Sequence, residues 1–136
     1  MIASLKIRSD VIFALHEYMH KKGFVEVEAP SLSGATSEGG SETFEVKYFD
    51  RKAYLTQSWQ FYAENIISAV EKAYAIAPSF RAEKSKTPWH VTEFLHFEVE
   101  GAWMNLNDDM KLAEDCIIYV VPVSYTHLTL PTTPYV

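Results

Sequence analysis

At 136 residues, 48% hydrophobic and 14% aromatic, the chain is long enough for one packed domain or part of one, and too apolar for a disordered segment. Its 12 basic against 18 acidic residues leave a net charge of −6, which excludes nonspecific nucleic-acid binding through overall charge, so any RNA contact must be local. Cys116 is the single cysteine, which excludes an intrachain disulfide and reads as a small buried hydrophobe of a reduced, cytosolic protein. No apolar run reaches the length of a membrane span, and the first residues, MIASLKIRSD, lack a signal-peptide core.

In chain order, residues 3–22 predict a helix: Leu5, Ile7, Ile12, Leu15, Tyr18 and Met19 approximate the helical period, and Gly23 after two lysines supplies a stop. Phe24, Val25 and Val27 alternate as a short strand that ends at Ala29-Pro30. Residues 31–41 (SLSGATSEGGS) read as a Gly/Ser loop. Its glycines let backbone approach a ligand, and Glu38 is a carboxylate suited to an ammonium group. Residues 43–55 predict a hairpin with Phe44, Val46 and Tyr48 in one strand and a turn at Asp50-Arg51. A helix opens at Thr56-Gln57-Ser58, its buried face expected at Phe61, Ile66, Ala69 and Val70.

An apolar run through residues 73–81 follows, then a loop of turn-favouring residues, Lys84 to Pro88. From His90 the pattern alternates again. Val91, Glu93, Leu95, Phe97 and Val99 share one face, and His90, Thr92, Phe94, His96, Glu98 and Glu100 share the other. The strand–loop–strand unit therefore collects Arg81, Glu83, His90 and Phe94 around a basic loop. These are a cation for phosphate, a carboxylate to accept from an exocyclic amine, and an aromatic plate for a base. On residue types alone, the same unit also reads as the solvated face of an antiparallel hairpin.

The arrangement Phe80-Arg81-x-Glu83, a short loop, then His90-x-x-x-Phe94 resembles motif 2 of the class II aminoacyl-tRNA synthetases, in the form found in the aspartyl/asparaginyl branch. The helix, Gly-Phe, Glu-Val-Glu and Pro30 resemble motif 1, which in that class builds a homodimer interface. The resemblance implies an α+β fold: an antiparallel sheet flanked on its outside by three helices. It also implies ATP-dependent formation of an aminoacyl adenylate, followed by transfer to tRNA.

The roles it implies are specific. Arg81, the catalytic residue, holds the α-phosphate and the substrate carboxylate. Glu83 accepts from the adenine amine, Phe94 stacks on adenine and His90 reaches the γ-phosphate. Lys84, Ser85, Lys86 and Thr87 approach the acceptor end of tRNA. Glu38, flanked by Ser37 and Gly39, folds over the amino acid, and Gln57 and Gln60 floor its pocket. Aspartyl enzymes carry a lysine where this chain has Ala63, followed by Glu64. A pocket without that cation, and with a carboxylate to accept from an amide, suits asparagine over aspartate.

One position departs from the family pattern: Trp89 stands where an arginine usually precedes the histidine. Either Lys84 or Lys86 compensates for it, or ATP binding is weakened.

Residues 106–121 predict a last helix, capped by Asn105 or Asn107 and with Asp108-Asp109 at its positive end, while Trp103 is expected in the core. The stretch from Val123 to Thr132 resembles a translated sequencing adapter, which makes residues 122–136 a non-native tail and gives His127 no catalytic role. Residues 1–121 are then the first half of a catalytic domain. Motif 3, the acidic residues that bind Mg2+ and an anticodon-binding domain have no counterpart in it, so the chain alone is expected neither to activate an amino acid nor to charge tRNA. Two alternatives stay open. One is an asparagine-synthetase-like relative activating aspartate; the other is a catalytically dead module acting in dimerisation or regulation.

Overall fold

The computed structural model describes residues 2–34, 43–84 and 87–128. The chain divides into two compact units. One combines the residues up to Phe24 with those from Trp103 onward, and the other runs from Val25 to Ala102.

The first unit is a helix pair. Helix α1 (Ile2–Lys21) buries Ala14, Tyr18 and Met19, whereas Leu5, expected inward, is exposed. Gly23 ends it as foreseen: its φ is +79°, its N–H donates to the His20 carbonyl at 3.1 Å, and the Phe24 N–H reaches back to Met19 at 3.0 Å. That double bond with a left-handed glycine is the Schellman closure, and buried Phe24 supplies its apolar contact.

Helix α3 (Leu106–Leu128) begins at a cap built by Asn105. Its side-chain oxygen accepts from the Asn107 and Asp108 N–H groups (2.8 and 3.3 Å), while the Asp108 carboxylate accepts from the Asn105 N–H at 3.0 Å. The helix continues through Pro122, beyond the boundary at Val121.

A polar seam joins the two helices. The Lys21 ammonium donates to the Tyr119 hydroxyl, which donates to Glu17, each at 2.7 Å; Lys22 stands 3.7 Å from Asp115, which also pairs with Lys111. The Tyr119 hydroxyl, then Lys21, hold the Glu17 carboxyl below its usual range, and Lys111 does the same for Asp115. Cys116 is buried, and burial raises its thiol pKa, as fits an unreactive core position.

Trp103 is a correction. A left-handed backbone (φ 64°) follows the last strand, and the indole is 91% exposed instead of buried.

The second unit holds two three-stranded sheets. In one, β2 (Leu32–Ser33) and β3 (Glu45–Tyr48) flank β4 (Arg51–Leu55), both antiparallel to it. Strand β2 falls within the stretch read as a loop; two residues are too short to show a period in sequence. The hairpin turn sits one residue earlier than expected, at Phe49-Asp50, because Arg51 already pairs with Tyr48.

Phe49 takes φ 56° at the first central position of this two-residue turn, where glycine is the usual choice. Its side chain is 81% exposed and gains little from burial. Phe49→Gly is expected to stabilise the unit by about 0.5–1 kcal/mol, as relief of the left-handed strain exceeds the entropy lost by glycine, measured by urea denaturation.

In the other sheet, β5 (Lys72–Phe80) is central, antiparallel to β6 (Glu93–Gly101). The short strand β1 (Val25–Glu26) adds on parallel, a departure from an all-antiparallel sheet. The second strand of the motif therefore begins at Glu93, three residues later than the alternation starting at His90 suggested.

Helix α2 (Gln60–Val70) packs on this sheet. Its inward residues are Trp59, Tyr62, Ala63, Ile66, Ile67 and Val70, whereas Phe61 and Ala69 are exposed, so the expected buried face is rotated. The indole of Trp59, 2% exposed, fills the space left by three alanines, Ala63, Ala73 and Ala75.

On the opposite face, fully buried Tyr74 meets Phe97 edge-on at 6.5 Å, and its hydroxyl lies 3.5 Å from Glu26. Burial, then the Glu26 carboxylate, push this phenol up to about 12. A phenol raised in the fold stabilises it fully below the unfolded value near 10 and loses that contribution as pH climbs toward 12. Burial also raises the Tyr18 phenol in the helix pair, so alkaline titration followed by phenolate absorbance is expected to show late-ionising tyrosines, and Tyr74→Phe to remove the component nearest pH 12.

Candidate functional site

The register of β5 on β6 decides what shares a face. Ala75 lies opposite Glu98, Ala77 opposite His96 and Ser79 opposite Phe94. Directly opposed residues in a ladder point to the same side, so these six form one face. Past the last ladder pair, the Arg81 N–H donates to the Thr92 carbonyl at 3.0 Å, which extends the pairing and puts Arg81 on the face of Ser79 and Phe94. The Arg81 guanidinium lies 5.5 Å from the Phe94 ring centre, within cation–π range. Glu83 and His90 meet across the base of the loop at 3.7 Å, and the other ring nitrogen of His90 is held by the Thr87 hydroxyl at 2.5 Å. Arg81 and Phe94 are therefore brought together, as are Glu83, His90 and Thr87.

Trp89 is presented at the loop turn, 90% exposed, and Lys84 is exposed as well. Ser85 and Lys86 lie outside the described residues, as do Ser37, Glu38 and Gly39.

The inner half of the same face, at Ala73 and Ala75, is covered by α2, whose amino end meets Glu98. Gln57 is 1% exposed. Gln60 is exposed and donates from its amide to Glu64 at 3.1 Å, a bond between successive turns on the helix surface. Ala63 is buried under Trp59, so this position carries neither charge nor room for a long side chain. Pro30 is exposed beyond β1.

A polar network sits between the two halves, and the sequence reading assigned it no role. The Glu98 carboxylate accepts from the Ser58 hydroxyl with one oxygen, and from the Trp59 N–H at 3.1 Å with the other. The Ser58 hydroxyl in turn accepts from the Gln60 N–H at 3.1 Å. His96 stands 3.4 Å from Glu98 and 3.3 Å from the buried Ser79 hydroxyl. The available signal was a run of polar residues, His96 and Glu98, on the face of the strand that already carried Phe94.

Among the described residues, no group of three His, Cys, Asp or Glu side chains is placed to hold a metal ion, and no helix is long and apolar enough to cross a membrane.

A guanidinium beside an aromatic plate and a carboxylate–imidazole pair at the loop base thus stand on one antiparallel ribbon. Comparison with known proteins gives the chain a family. The family model described as tRNA synthetases class II (D, K and N) matches residues 1–131, and the chain belongs to that family. Among curated relatives, the asparagine–tRNA ligase of Pyrococcus horikoshii is 47% identical over 119 residues, covering 88% of this chain and 27% of that protein.

Solved structures agree. The asparaginyl-tRNA synthetase of Pyrococcus horikoshii complexed with asparaginyl-adenylate superimposes with a TM-score of 0.87 at 45% identity, over 91% of this chain and 29% of that one. The Entamoeba histolytica asparaginyl-tRNA synthetase gives 0.82 at 31%, over 96% and 32%. The chain thus spans about 27% of the length of the curated relatives it matches.

Proposed function

We propose that this chain is the motif 1 and motif 2 segment of an asparagine–tRNA ligase, an enzyme that activates asparagine with ATP and passes it to tRNA. The observation that carries the reading is the Arg81 guanidinium over the Phe94 ring, with a Glu83–His90 pair at the loop base of the same hairpin. The relatives named as asparagine–tRNA ligases, and a structural neighbour complexed with asparaginyl-adenylate, support it.

In the reaction, a carboxylate oxygen of asparagine attacks the α-phosphorus of ATP. The bond to the β-phosphate oxygen breaks, and pyrophosphate leaves with its electron pair. Both reacting groups are anionic, so the main requirement is positive charge and orientation. Arg81 bridges the carboxylate and the α-phosphate, Phe94 stacks on adenine, Glu83 accepts from its amine and His90 reaches the γ-phosphate. Gln57, Gln60 and Glu64 take the amino acid, Glu38 its ammonium group with Ser37 and Gly39 around it. Lys84, Ser85, Lys86 and Thr87 meet the tRNA acceptor end.

Ala63 leaves an aspartate carboxylate without a counter-ion, which favours asparagine. Homodimerisation through the motif 1 region around Pro30 and a cytoplasmic location belong to the same reading. Mg2+ would shield the phosphates in the intact enzyme; its ligands are assigned to no residue of this chain.

The test is a hybrid in which residues 1–121 replace the matching segment of the Pyrococcus horikoshii ligase. Asparagine-dependent ATP–pyrophosphate exchange, with little response to aspartate, is expected. Exchange driven by aspartate would replace this reading with the aspartate-activating one.

A further inference from the structure

We propose that His16 and His20 form a binding site for a divalent transition-metal ion, Zn2+ in the first place, on one face of α1. The proposal stands apart from the ligase reading, and no outcome of its test depends on that reading.

Residues 16–20 run His-Glu-Tyr-Met-His, the His-Glu-x-x-His pattern that on a helix turns two imidazoles toward a single ion. The structure supplies the helix. A spacing of four puts the two Cβ atoms about 5–6 Å apart on one face, and both rings line one groove with Phe13, Glu17 and Lys21. His20 lies in the last turn, which is closed beneath it: the Gly23 N–H donates to the His20 carbonyl and the Lys22 N–H to that of Tyr18. His20 is exposed and His16 half-buried, so an ion reaches the pair from solvent.

Imidazole nitrogen suits Zn2+, Cu2+ and Ni2+, whereas Mg2+ and Ca2+ prefer oxygen ligands. Each ring has two nitrogens, so one binds the ion while the other keeps a hydrogen bond. In metalloproteases that carry this pattern the glutamate is the general base. Here the Glu17 carboxylate accepts from the Tyr119 hydroxyl at 2.7 Å and pairs with Lys21 at 3.0 Å. That pairing engages the base and offsets the Lys21 charge beside the two rings. The pattern thus keeps its ligands while its base is held elsewhere, which makes the site one for binding and not for hydrolysis. Among the described residues no third His, Cys, Asp or Glu joins the pair, so water completes the coordination.

An ion held by both rings clips the turn between them. The His20 amide, which closes that turn, then opens only when the ion leaves.

The test is Zn2+ alone, titrated into the untagged full chain and followed by NMR. The imidazole signals of His16 and His20 are expected to shift before those of His90, His96 and His127, while equal Mg2+ leaves all five unmoved. With free Zn2+ at ten times its dissociation constant, exchange at the His20 amide should slow about 10-fold. His16→Gln and His20→Gln, both helix-compatible, should each keep the wild-type far-UV spectrum and lose the early shift at the remaining ring. Glu17→Gln should leave Zn2+ affinity within about threefold, since the carboxylate is no ligand. The proposal is overturned if the shifts begin at other imidazoles, if the early shift at His16 survives His20→Gln, or if Glu17→Gln abolishes binding.

Discussion

Arg81→Ala in the hybrid ligase is expected to lower asparagine-dependent ATP–pyrophosphate exchange by about 10²- to 10³-fold, the usual cost of removing one preorganised charge at a reacting centre. In the proposed reaction two negative groups, the amino-acid carboxylate and the α-phosphate, must approach each other, and Arg81, the cation beside Phe94, is the residue proposed to meet them. Arg81→Lys should recover only part of the loss, because a point charge cannot bridge two oxygens in the plane of a guanidinium. The KM for asparagine and kcat should both worsen, since in the proposed roles the same side chain holds a ground-state carboxylate and the developing charge. A drop of under fivefold in kcat/KM would mean that Arg81 is only a strand-end residue packed on an aromatic ring.

The second large effect is on stability. Trp59→Ala is expected to cost about 3–5 kcal/mol, in the range for emptying an aromatic core site. The cost falls at the high end because the surrounding positions, Ala63, Ala73 and Ala75, are too small to collapse into the space. Denaturant midpoints of the second unit, read by the buried indole in the parent and by far-UV circular dichroism in both, give the difference. Restoring volume from the other side, with Ala63→Leu in the Trp59→Ala background, should return part of the loss. A cost below 1 kcal/mol would show that the three alanines pack without the indole.

Much of this was legible in the residues before any coordinates. The alternation through Phe94, His96 and Glu98 gave the correct face of β6, because a period of two is unambiguous in a strand half covered by a helix. Gly23 marked the end of α1, since only a residue at ease with positive φ closes a helix that way. Asn105 and Asn107 marked the start of α3 as alternative caps, and the cap is Asn105.

What escaped the sequence has a common cause. Trp103 reads as core by hydrophobicity, yet its place depends on a left-handed turn that no residue type announced. The buried face of α2 was misjudged because Trp59, before the helix proper, anchors it, and that depends on alanines in a distant strand. The Glu98 network joins residues 40 positions apart, so only the folded register could reveal it. Local chemistry could be read from the chain; pairings that depend on tertiary register could not.

The claim on which the rest stands is that one side of the β5–β6 hairpin binds the adenylate. Its most direct test is the crystal structure of the hybrid ligase with a non-hydrolysable asparaginyl-adenylate analogue. The account predicts the adenine ring on Phe94 with its amine at Glu83, and the phosphate mimic within hydrogen-bond reach of Arg81. Adenine bound away from that face, with the Arg81–Phe94 pair undisturbed, would contradict it.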